Sequence, residues 1–296
     1  MVDISKPKSG HSIGVVLVII SAFVFSTAGI FTKGVTSAAW TIIFWRGVSA
    51  SFFTLLYLAW RGQLRAEMAA FGRTAALATL LMAAGTAAFI PAFKLTSVAN
   101  VALIYASAPL LAAGLSWLLL WERSTWTVMV ASVGAFAGVL VIVSGSFGAS
   151  ALAGDLLALF MTLMMAGTMI VYRAFPKTTA ALPAAVSSVV LLPIACALGR
   201  PLDVPTGELP WLILFGVVFA IASVTLAEGA RRLPSAETAL LSILEVPLAP
   251  VLAWAILAET PEARVIGGGG LIVICVIWSQ QSGQAARDRQ IRRKDT

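Results

Sequence analysis

Glu245, Arg46 and Asn100 each put a charge or an amide inside a long apolar stretch; Glu245 is the hardest of them to explain as packing, whereas Asn100 can also bridge neighbouring helices. A carboxyl in such a place has three uses: exchanging a proton, pairing with a substrate amine, or serving as a protonated structural hydrogen-bonding group. Arg46 lies about 9 Å from the end of its stretch, and it either snorkels to the interface or meets a substrate carboxylate. Asn100 shares a helical stripe with Ile104, Ser107 and Leu111, and Thr238, Ser242, Glu245 and Ala249 make a second one. Hydroxyls on such stripes either line a polar pathway or bond the carbonyl one turn back. Tyr105 falls off the first stripe; with Phe89 and Tyr172 it is a deep aromatic able to stack on a ring-bearing substrate. Pro109 and Pro247 each remove a backbone hydrogen bond in mid-stretch, so both are expected to kink their helices. An enzyme would need a nucleophile, a metal cluster or paired acids at that depth. The one histidine is His11, and Cys196 and Cys275 lie in apolar runs without ligand spacing, so no catalytic residue, cofactor or metal site is expected.

The elements that must hold these residues are membrane spans. Apolar residues make up 59% of the 296 and charged residues 11%, against about 25% charged in a soluble domain. That balance excludes a soluble enzyme and a secreted disulfide scaffold. The net charge of +7 is scattered between apolar runs, which argues for topology and against a nucleic-acid partner. The runs have the length, about 20 residues, that crosses a bilayer. Ten spans are expected at 13–32, 38–60, 70–91, 97–121, 126–146, 153–174, 180–199, 209–230, 235–258 and 264–282. With the N-terminus inside, fifteen Lys and Arg fall on the cytoplasmic side, and only Lys33, Lys94, Arg200 and Arg264 fall on the other. This positive-inside bias puts both termini in the cytoplasm. Residues 1–12 form a cytoplasmic N-terminal segment and 283–296 a basic tail.

The spans repeat. Lys94-Leu95-Thr96-Ser97 aligns with Arg232-Leu233-Pro234-Ser235, and the register carries on to pair Ala92 with Ala230, Pro109 with Pro247 and Leu110 with Leu248. Further along, Glu122 falls on Glu259; toward the N-terminus, Gly14 falls on Gly154 and Lys33 on Arg173. Residues 13–147 and 148–282 are therefore read as two five-helix repeats. An odd span number turns the second copy upside down about an axis in the membrane plane. The expected fold is an all-α membrane protein of ten transmembrane helices in two inverted five-helix repeats. Such a pair can alternate between inward-open and outward-open packings around a midplane site. Arg46 has no counterpart in the second copy. Gly267 to Gly270 allow close helix approach, within a monomer or across a homodimer.

Ala92-Phe93-Lys94-Leu95-Thr96-Ser97-Val98-Ala99-Asn100, Ala108-Pro109-Leu110, Leu119-Leu120-Trp121-Glu122-Arg123 and Trp45-Arg46-Gly47 resemble the half-domain signature of the drug/metabolite transporter superfamily. Leu244-Glu245-Val246-Pro247-Leu248, Ala258-Glu259-Thr260 and Ile266-Gly267 resemble it again. The chain as a whole looks like two EamA-type halves, similar to YddG-type aromatic amino-acid exporters of bacterial inner membranes. The resemblance implies a multi-pass inner-membrane exporter of small metabolites, amino acids including aromatic ones first among them. Broad lipophilic drug efflux is the rival, and a non-transporting structural or signalling membrane protein is the alternative of another class. The expected substrate pathway comprises Asn100, Ser107, Tyr105, Thr238, Ser242, Glu245 and Arg46.

Overall fold

The computed structural model describes residues 8–28, 31, 35–96, 98–144, 152–205, 207–257 and 263–292; within these, the side chains of 8, 9, 93, 94, 98–100, 143, 253, 256, 257 and 284–292 are not described. The side chain of Asn100, the residues Lys33 and Glu259, the side chain of Lys94 and those of the basic tail thus lie outside the described residues. Every regular element among the described residues is a helix. The first half holds α1 (Lys8–Ser26), α2 (Ala39–Trp60), the short α3 (Leu64–Ala69), α4 (Arg73–Leu95), α5 (Val98–Tyr105), α6 (Ala108–Leu120) and α7 (Trp126–Val143). The second holds α8 (Leu152–Ala174), α9 (Ala181–Leu198), α10 (Leu209–Ala230), α11 (Ser235–Ser242), α12 (Glu245–Leu257) and α13 (Ala263–Arg292).

Eight stretches are long and apolar enough to cross a membrane, and the apolar parts of α1 and α7 are shorter. Helices suit that solvent because they satisfy their backbone groups internally. Size is sorted inside out: alanines dominate the buried core, while large side chains such as Leu80, Leu118 and Ile274 are exposed. Hydrocarbon solvates leucine as well as a protein interior does, so close helix contact falls to small residues. Trp60, Trp121 and Trp126 project at helix ends, where an indole meets both lipid and water.

Exchanging the halves preserves most of the packing scheme, but the packing of α6 on α11 has no comparable α5–α12 counterpart. α1 packs on α10 as α8 packs on α4, and α2 packs on α10 as α9 packs on α4; α7 packs on α13, and α2 on α9. One glycine contact occurs twice. A Cβ on Gly14 would come within 2.9 Å of Arg232 and 3.0 Å of Leu233; one on Gly154 would come within 2.7 Å of Leu95 and Thr96. These are the landmarks that align in the sequence, and the contact explains why they recur: each first helix needs a glycine to lie against the turn before the other half's broken helix. α1 therefore starts beside the end of α10, and α8 starts beside the end of α4. His11 at the start of α1 and Gln280 late in α13 both bond Glu237 Oε1 at 3.0 Å, which puts both chain ends on one side, here the terminal side. On the opposite, far side, Glu208 at the start of α10 accepts hydrogen bonds from the backbone and hydroxyls of Thr36 and Ser37.

Two details differ from expectation. The prolines do not kink continuous helices. The helices are interrupted just before them, at Ala106–Ser107 and at Ile243–Leu244, and Pro109 and Pro247 sit in the first turn of the segment that follows. A first turn has no use for the missing N–H, so proline is favoured there. The tenth span also continues as α13 to Arg292, through Gln, Ala and Arg residues that favour helix.

Candidate functional site

The breaks divide each fourth span into two parts with different surroundings. In the first half, α5 before the break faces a cavity through Val101, Ala102 and Tyr105, while Ala108 and Ala112 of α6 are buried in a core cluster. In the second half the order reverses: Ala239 of α11 joins that cluster, and Glu245, Val246, Ala249 and Pro250 of α12 face the cavity. The cavity has a volume of about 510 Å³. It runs from Ser26, Ile142 and Arg264 at far-side helix ends down to Tyr172 and Ala230.

Arg46 is the cationic pole of this cavity. It is 3% exposed, and its guanidinium carbon stands 4.1 Å from the Phe219 ring centroid and 5.5 Å from that of Phe215. Both contacts are within cation–π range. Among the described residues its Nε has no hydrogen-bond partner and no carboxylate pairs with it. A buried unpaired cation is costly, so the position carries an unmet demand for an anion. The backbone around it is fixed: Trp45 Nε1 donates to Pro201 O at 2.8 Å, and Ser49 Oγ donates to Ile213 O at 2.6 Å.

Glu245 is the acidic pole. It begins α12, and its carboxyl is hydrogen-bonded to Tyr105 across the cavity's inner part. Ser223 and Thr86 also line the cavity, and the rest of the wall is mostly apolar, with Met82, Met161, Met165 and Met169 grouped on α4 and α8. Of the residues expected to form the pathway, Arg46, Tyr105 and Glu245 thus meet in one cavity. Ser107, Thr238 and Ser242 do not line it. Their hydroxyls bond Ile104 O at 2.6 Å, Pro234 O at 3.1 Å and Thr238 O at 2.9 Å, the backbone alternative for such residues. The first stripe fails for a further reason: the break at Ala106–Ser107 ends the helical period on which it rests.

Ion pairs and carboxyls outside the expected pathway complete the picture. Glu237, 4% exposed, ties α1, α11 and α13 together on the terminal side. The Glu122 carboxylate takes two hydrogen bonds from Arg173, at 2.7 and 3.1 Å, and Glu67 accepts from Leu182 N at 2.7 Å. Partial burial raises the Glu67 carboxyl above its ordinary value. On the far side, hydrogen bonds from Ser37 and Thr36 pull the Glu208 carboxyl down to about 2. No group of metal-ligating side chains occurs among the described residues.

Comparison with known proteins matches residues 12–144 and 152–279 to the EamA-like transporter family. A crystal structure titled only "Crystal structure of protein" superposes with a TM-score of 0.79 at 16% identity, over 94% of this chain and all of that one. At that identity the likeness is one of fold. No curated protein matches the chain.

Proposed function

We propose that this chain, which belongs to the EamA-like transporter family, exports small metabolites, amino acids including aromatic ones foremost, by alternating access between its halves. It is a multi-pass membrane transporter of small molecules and not an enzyme. The carrying observation is the pairing of poles in one cavity: Arg46, cationic and unpaired at Nε, and Glu245, held by Tyr105. An α-amino acid offers a carboxylate to the first and an ammonium to the second, and its side chain falls on the methionine and phenylalanine wall. A polyanion such as a sugar phosphate would need several cations, and Arg46 and Arg264 are the cationic side chains in the described lining.

The topology belongs to the same proposal. α1 and α7 complete a set of ten spans, the terminal side is cytoplasmic by the positive-inside bias, and the membrane is a bacterial inner membrane.

Broad efflux of lipophilic compounds is the second reading, and the methionine group favours it, because flexible thioethers adapt to many shapes. Counterflow into proteoliposomes separates the two. Labelled phenylalanine accumulating against an internal load, with a lipophilic cation inert, supports amino-acid export. The reverse result supports efflux and removes the amino-acid assignment.

A further inference from the structure

The terminal end of the cavity is shut by an unusual plug. Tyr172, fully buried, stands at its floor, and the cluster around it is chiefly alanine: Ala108, Ala112, Ala227 and Ala239 come from α6, α10 and α11. On the terminal side α10 ends in an ion pair, Arg231 with Glu228 at 2.6 Å, so charged side chains follow the plug there. α6 packs directly on α11 here.

The repeat register turns this plug into a map. A shift of 138 carries Ala108 onto Val246 and Ala112 onto Pro250. The same shift relates Ala227 to Phe89 and Ala239 to Val101. All four mates line the cavity. The residues that are closed together on the terminal side therefore have their equivalents on the cavity wall toward the far side, where Phe89 and Val246 pack on the cluster that buries Val101, and α5 and α12 flank the open space as α6 and α11 flank the plug.

We infer that these two sets are the gates of the transporter: the alanine plug around Tyr172 closes the terminal side, and Phe89, Val101, Val246 and Pro250 close the far side in the opposite state. This rests on the transport reading above and specifies its moving parts. The gates are unequal. Separating alanines exposes one methyl group each, so the plug parts at little apolar cost, whereas the far gate brings larger side chains together and buries more surface when it shuts. The halves can trade conformations because each gate is made of the same helix pair in inverted order, and mutual exclusion follows, since an open plug accompanies a closed far gate.

The test uses the full chain without its native cysteines, Cys196→Ser and Cys275→Ala, with two engineered pairs: Ala112→Cys with Ala239→Cys across the plug, and Val101→Cys with Pro250→Cys across the far side. A short reversible bis-thiosulfonate reagent links each pair, read by gel mobility and by proteoliposome counterflow. Either link alone is expected to cut transport at least tenfold and to be reversed by dithiothreitol. In the four-cysteine protein, molecules should carry one link or the other and never both. Ala108→Cys with Ala227→Cys and Phe89→Cys with Val246→Cys are equivalent pairs should Pro250→Cys fail to fold. Molecules bearing both links, or a far-side pair that never links, overturn the assignment. Exclusion is read without any substrate, so it stands or falls separately from the amino-acid proposal.

Discussion

Ser107 and Glu245 occupy equivalent places at the start of the second segment of each broken helix, yet the Ser107 hydroxyl folds back onto Ile104 O while the Glu245 carboxyl faces the cavity and Tyr105. Arg46 on α2 has no basic equivalent near Ala184 to Val186 of α9, and Glu237 falls opposite Ala99. Against this stand the pairs that match: Gly14 with Gly154, the two breaks, the two prolines. The landmarks of the scaffold are shared and the charges are not. A shared scaffold can serve both conformations, whereas a buried Arg repeated in α9 or a Glu repeated at Ser107 would have to be desolvated without a partner.

The largest effect is expected at the charge that breaks the symmetry. Arg46→Ala should lower counterflow tenfold or more, since a hydrogen bond to a charged group contributes about 1.5–3 kcal/mol. Arg46→Lys, which keeps the charge and loses the planar fork, should retain part of the activity. Transport unchanged in a folded Arg46→Ala protein would reduce the residue to an anchor for Phe215 and Phe219. Next comes the Ser107 and Glu245 pair. Glu245→Gln keeps size and hydrogen bonding but cannot titrate, so it should flatten the pH dependence of transport or weaken binding several-fold, whereas Ser107→Ala should change neither by more than about twofold, in line with a local backbone bond. Equal effects at both positions would show that the halves share the binding role.

The matched glycines offer a smaller and purely structural contrast. At Gly154 a methyl group would come within 2.7 Å of backbone atoms of Leu95 and Thr96, and at Gly14 it would meet the Arg232 Cβ at 2.9 Å and the more adaptable Leu233 side chain at 3.0 Å. Gly154→Ala should therefore cost about 1–3 kcal/mol of stability and Gly14→Ala less, measured by thermal unfolding in detergent. The smallest effect is expected at Glu208, which is half-buried at the start of α10. Its carboxyl is pulled down to about 2 by Ser37 and Thr36, so its contribution is present above the ordinary carboxylate range and is lost as pH falls toward 2. Glu208→Gln should remove that part of the acid dependence of the thermal midpoint.

The helices and the repeat were legible because apolar run length and a sequence offset are local records of bilayer thickness and duplication. Arg46, Tyr105 and Glu245 were legible for a similar reason: an ionisable or polar-tipped side chain at depth is expensive wherever it occurs. Thr238 and Ser242 misled, since a hydroxyl satisfies itself on the carbonyl one turn back and leaves no trace of this in its spacing. Phe215 and Phe219 beneath Arg46, the methionine wall and Glu237 were missed because they acquire meaning from residues far away in sequence. Apolar periodicity gave no help there, for lipid and helix interfaces are equally apolar and differ chiefly in side-chain size.

The claim that one cavity binds a zwitterion between an unpaired cation and an acid is tested most directly by asking what Arg46 recognises. Counterflow of labelled phenylalanine is measured in competition with unlabelled phenylalanine and with its methyl ester, which lacks the carboxylate, in the parent protein and in Arg46→Gln. The parent should prefer the free acid at least tenfold, and Arg46→Gln should lose that preference while still folding. A parent protein that binds acid and ester alike, or an Arg46→Gln protein that discriminates as sharply as the parent, would contradict the account.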